Sequence, residues 1–262
     1  MSTVSWQEKD GVIYVSINKP PANAYDITHL RALRATFLHL DAEVASNVVV
    51  LQSGLDKFFC AGSDIKVFAK NTTAENQQMT VVAREVCAAI EKSKKLFIAA
   101  ISGHALGGGL EIALACDFRL AATGQYLLGL PEIKLGLIPG NGGTVRLARL
   151  IGKSRAAELL MFGEPINADQ ALSWGLVNRV YERSAFWEEV HAFAYQLSLG
   201  PKEALAALKD LLQANETQEQ AEALRTEAQA MKRLLNSPDA EEGFKAYIEK
   251  RPPKFSEGRI IK

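Results

Sequence analysis

No apolar run in these 262 residues approaches the roughly 18 that a membrane-spanning helix requires, so no membrane partner is expected. Charge of one sign is not in excess either. Thirty Lys and Arg face thirty Asp and Glu, a formal net charge of zero, which gives a nucleic acid or anionic surface nothing to bind by bulk electrostatics. Cysteine is sparse: Cys60, Cys87 and Cys116 lie far apart. Their odd number and the missing CxxC spacing exclude a disulfide framework and a cysteine zinc site. Free, buried thiols in a reducing, cytoplasmic compartment are the expectation. Residues 1–8 have neither a basic stretch nor an apolar one, and the first arginine is Arg31, so no signal or transit peptide is read. A presequence removed before residue 1 stays compatible with that. The glycines at 103, 107, 108 and 109 match neither GxxxxGK[ST] nor GxGxxG, which removes a P-loop and a dinucleotide fingerprint from consideration. Of four histidines, His29, His39 and His191 fall in predicted helices with no ligand-like partner.

What is present suits a globular α/β protein. Apolar residues make up 48% of the chain, enough for a proper core. Two strands are predicted within residues 4–18 around the Asp10-Gly11 turn, with Ile13, Val15 and Ile17 on one face and Val12, Tyr14 and Ser16 on the other. A helix over 28–40, a buried strand over 47–52, a loop over 56–66 and a helix over 75–92 follow. Further strands are predicted over 96–101 and 117–122, with a segment near 126–130 and a glycine-rich loop over 136–143. Helices are predicted over 154–162, 168–174, 184–199, 202–215 and 217–235, Pro201 standing just before the fourth. The division is therefore an α/β core over residues 1–200 and a helical region over 201–262.

Four segments could carry chemistry. In residues 103–117 a triple glycine leads into an apolar, helix-like run containing Glu111. A helix start offers unpaired N–H groups and partial positive charge, a setting for a developing oxyanion. Gly108 and Glu111 are three apart and share a helix face. Residues 58–66 place small residues between an aromatic pair and a helix start, which suggests exposed backbone N–H groups or simply a tight turn. Glu132 sits in an apolar neighbourhood, suited to a raised pKa or to a helix start. Residues 139–144 read as a helix cap. His104, beside the glycines, is at most a supporting residue.

Taken in order, these four segments resemble the crotonase (enoyl-CoA hydratase/isomerase) superfamily, and the late segment 244–255 is similar to that family's C-terminal motif. The resemblance covers nearly the whole chain. It implies an α/β spiral of stacked ββα units with a C-terminal helical trimerisation region, assembled as a homotrimer or homohexamer. It also implies an enoyl-CoA hydratase of fatty-acid metabolism, a hydro-lyase whose substrate carries the CoA and which needs no other cofactor or metal. By position, Ser63 and Gly108 match the two backbone donors of the family's oxyanion hole. Glu111 and Glu132 match its two glutamates, with their roles left unassigned. Ala22, Ala61, Ser63, Asp64, Ile65 and Lys66 match backbone along the CoA, and Lys250 and Phe255 match residues that reach toward CoA, sometimes from a neighbouring subunit. The chain departs from the common pattern at Ser63, Leu96, Ser102 and Asn141, and its turn at 19–24 is one residue short. A double-bond isomerase or a specialised acyl-CoA dehydratase or lyase shares the same pattern. A non-catalytic scaffold binding CoA or RNA is disfavoured by the zero net charge and by the retained glutamate pair.

Overall fold

The computed structural model describes residues 3–255. The N-terminal hairpin forms as the alternation predicts: β1 (Val4–Lys9) and β2 (Val12–Ile17) pair antiparallel across Asp10-Gly11. Helix α1 (Ile27–Glu43) then carries the chain to β3 (Val48–Ser53), and Asp26 caps it by accepting from the His29 N–H. From β3 onward the chain repeats one move. Each strand of a large sheet is followed by a short strand of a second sheet and then by helix. The pairs are β3 with β4 (Phe58–Cys60), β5 (Leu96–Ile101) with β6 (His104–Leu106), and β7 (Phe118–Ala122) with β8 (Leu128–Gly129). The helices that follow are α2 (Ile65–Phe68) and α3 (Thr73–Lys92) after the first pair, and α4 (Gly108–Ala115) after the second. After the third pair comes a 3-10 helix over Pro131–Leu135, with α5 (Gly143–Ile151) beyond it.

The result is two sheets. The larger is ordered β1-β2-β3-β5-β7-β9, β9 being Arg179–Tyr181; the smaller is β4-β6-β8, with all its pairs parallel. Parallel strands covered on both faces must be apolar throughout, and β5 is buried at every position. Its side chains divide by parity. Phe97, Ala99 and Ile101 enter the main core, while Ile98 and Ala100 enter a second core with Phe186, Val190 and Ala194 of α8 (Phe186–Ser198). Residues 13, 15 and 17 of β2 likewise face the main core and Val12 the other, as their alternation requires.

Helices α6 (Lys153–Phe162), α7 (Ala168–Trp174), α9 (Lys202–Ala214), α10 (Gln220–Leu234) and α11 (Pro238–Ile248) complete eleven α-helices among the described residues. Three elements differ from the sequence expectation. Residues 56–66 are not simply loop, because β4 and the start of α2 lie there; β6 and β9 are also additional. All three strands have only three residues, and non-local pairing alone makes strands of that length. Helix α11 is a further addition that the expected helices did not include; Ser237 caps it and Pro238 is its first residue. Residues 256–262 of the expected helical region lie outside the described residues. No described helix is long and apolar enough to cross a membrane. All three cysteines are free and buried.

Candidate active site

The spiral places the ends of successive turns side by side. The β4-to-α2 turn lies against the β6-to-α4 turn, and Gly62 is what lets them touch. Its φ is +84°, and a Cβ there would stand 2.9 Å from both the Gly108 nitrogen and the Leu106 carbonyl oxygen. Any other residue would be strained and would push the two segments apart. The next residue, Ser63, bridges in parallel to Tyr25, whose N–H donates to the Gly62 carbonyl while its own carbonyl accepts from the Asp64 N–H. Gly108 opens α4, so its N–H has no carbonyl one turn back within that helix. The backbone at Ser63 and at Gly108 thus borders one cleft of about 670 Å³.

Glu111, one turn into α4, enters the same cleft and is almost wholly buried. The Asn141 and Gly143 N–H groups donate to its Oε1 at 2.7 and 2.8 Å. This replaces the local cap expected for residues 139–144. No side chain of that loop caps α5, and the carboxylate that serves its first N–H comes from α4. Burial pushes the Glu111 carboxyl upward, and the two N–H groups and the Arg146 charge pull it part of the way back.

Glu132 faces the cleft from the 3-10 helix. Its Oε2 is buried without a hydrogen-bond partner. Burial, with the nearby Glu111 charge adding to it, pushes this carboxyl up to about 7. The two acids therefore differ in setting. One has an oxygen fixed by backbone donors; the other has an oxygen with nothing to bond.

The cleft gathers Ala61, Ser63, Ile65, Gly108, Glu111 and Glu132 from the residues singled out in the sequence. Ala22, Asp64, Lys66, Lys250 and Phe255 do not line it. Ala22 supports it through its carbonyl, which accepts from the Ala61 N–H. The Asp64 carboxylate caps α2, accepting from the Lys66 and Val67 N–H groups. Lys250 follows α11, and Phe255 lines a separate apolar cavity with Phe244 and Tyr247. His104 accepts from the Leu127 N–H through Nδ1, a structural contact between adjacent turns. The sequence reading passed over Tyr25, Phe68, Thr80, Leu135, Leu137 and Ile138, all of which line the cleft.

Among known families, the model described as enoyl-CoA hydratase/isomerase matches residues 7–258. The chain belongs to this family. It is 36% identical over 257 residues to a probable enoyl-CoA hydratase of Bacillus subtilis, covering 97% of this chain and 99% of that one. It is also 36% identical to a crotonyl-CoA hydratase of Syntrophomonas wolfei, covering 95% of each. A solved enoyl-CoA hydratase structure from Geobacillus kaustophilus superposes with a TM-score of 0.95 at 33% identity, over 98% of this chain and 97% of that one. The fold is thus the crotonase fold, including its C-terminal helices.

Proposed function

We propose that the chain is an enoyl-CoA hydratase that adds water reversibly across the C2=C3 bond of a 2-enoyl-CoA thioester. The enzyme is a hydro-lyase acting on a CoA thioester. The observation that carries this reading is two differently set carboxyls in one cleft, beside two backbone segments able to donate N–H groups to a single oxygen.

An isolated alkene resists water, but conjugation to the thioester lets negative charge run onto the carbonyl oxygen. In this reading the Ser63 and Gly108 N–H groups hold that oxygen, and the α4 dipole supports the charge. Glu111, anchored by Asn141 and Gly143, takes a proton from water as the oxygen bonds to C3. Glu132, raised to about 7 and so substantially protonated at neutral pH, delivers its proton to C2. The carboxyls then exchange a proton to reset. The sum is one water added, with no electron to be supplied, so the step requires no redox group. Apolar Ile65, Phe68, Leu135 and Ile138 around the cleft suit an acyl chain.

The test is loss of the enoyl-thioester absorbance of crotonyl-CoA with purified protein. Turnover is expected, and Glu132→Gln should abolish it while CoA-thioester binding persists. No absorbance change across short, medium and branched enoyl-CoAs overturns the reading.

A further inference from the structure

Tyr25 is buried to 2% exposure, yet its hydroxyl stands at the floor of the cleft rather than in the apolar core. Three walls of the cleft converge on it. A Cβ on Gly108 would overlap the phenol oxygen, so the hydroxyl lies directly against that glycine. Ser63 is its polar neighbour on a second side, and the two residues share a backbone bridge. On the third side the Asn141 Nδ2 donates to the phenol oxygen at 3.1 Å.

Asn141 has a second bond that makes this contact consequential. Its main-chain N–H holds Glu111 Oε1 at 2.7 Å. The phenol grips the side chain of the residue whose backbone grips the carboxylate. It does so while touching the glycine at the start of the helix that bears the same carboxylate. A leucine or phenylalanine at position 25 could fill the volume but could not accept from Asn141.

We propose that Tyr25 is a positioning residue: through Asn141 its hydroxyl fixes the loop that orients the Glu111 carboxylate toward the reacting water. The role toward water rests on the proposed hydratase activity, and the Tyr25–Asn141–Glu111 chain on geometry. The phenol is held in its protonated form by burial, so it keeps an O–H to donate throughout the working pH range. Other charged or titratable groups around Glu111 are Arg146 of α5, Cys87 of α3 and Glu132 of the 3-10 helix, and none of them is bonded to Tyr25.

The experiment compares Tyr25→Phe, Asn141→Ala and the double variant in two measurements. In turnover of crotonyl-CoA, Tyr25→Phe should lower kcat about tenfold, short of the ~100-fold that a 1 Å misplacement can cost, with little change in KM. Asn141→Ala should do the same, and the double variant should be no worse than the poorer single one, because both break one chain. In the ligand-free protein, the carbon-13 signal of the Glu111 carboxyl, assigned with Glu111→Gln, should titrate at higher pH in Tyr25→Phe, since a loosened Asn141 N–H stabilises the ionised form less, and in Asn141→Ala, which also removes the side-chain amide that favours the ionised Glu111. Wild-type kcat and an unmoved Glu111 titration in Tyr25→Phe, or additive losses in the double variant, overturn the proposal. An inactive wild type would refute the hydratase reading alone, because the titration still decides the Tyr25–Glu111 link.

Discussion

Burial sets the pH behaviour of Glu132, whose Oε2 has no hydrogen-bond partner. Its folded pKa, about 7, lies above the 4.5 of an unperturbed glutamate, so the folded chain holds that proton more tightly than the unfolded chain does. The stability this contributes is complete below about 4.5 and is lost as pH rises to about 7. Glu132→Gln removes the dependence. Urea midpoints measured at both ends of that window should therefore fall more with pH in the wild type than in the variant. Gly108→Ala should be harsher, because the new methyl overlaps the Tyr25 hydroxyl and displaces the helix start. We expect roughly a 100-fold loss of turnover and about 1–3 kcal/mol of stability from overpacking, read by crotonyl-CoA assay and urea denaturation. At this scale the family resemblance singled out Glu111 and Glu132, and the fold brings both to one cleft. The sequence was silent at Tyr25, because nothing local distinguishes a core aromatic from one whose hydroxyl meets Asn141 across 116 positions.

Among the elements, α9 is fastened to the core by a charge rather than by apolar surface alone. Lys209 is 4% exposed and donates to the Ile90 and Lys95 carbonyls and to Asp117 Oδ2. Asp117 also accepts from the Phe97 N–H, so the pair joins α9, β5 and the end of α4. Removing one member strands the other in the interior. Lys209→Met is expected to cost about 3–5 kcal/mol, and Lys209→Met with Asp117→Asn should recover part of it, both read from urea unfolding. Long elements were legible because each satisfies a periodicity over several turns: α1, α3 and β5 begin and end within a few residues of expectation. The short strands β4, β6 and β9 were not. A three-residue strand owes its conformation to a partner elsewhere, and β4 finds its own in β6, more than forty positions away in the chain.

At the level of the molecule, α9 to α11 leave large apolar side chains uncovered. Leu212 is 68% exposed, Tyr247 86% and Ile248 78%. A monomer this bare at one end is unfavourable, and further copies of the chain are the natural cover. We predict a trimer or hexamer, so light scattering should give three or six times the 28.6 kDa of the chain. A monomeric mass at micromolar concentration would refute this. Lys250 and Phe255 lie outside the cleft of their own chain. The sequence by itself determined the α/β class and the parity of the buried strands, which follow from periods of 2 and 3.6 residues and are local properties; the two glutamates were paired through the family resemblance. Only the tertiary structure decided that Gly62 abuts Gly108, that Glu111 is held by a loop thirty residues on, and that Glu132 keeps an oxygen without a partner. Those facts arise where successive turns of the spiral stack, and contact between distant turns is written in no single stretch of chain.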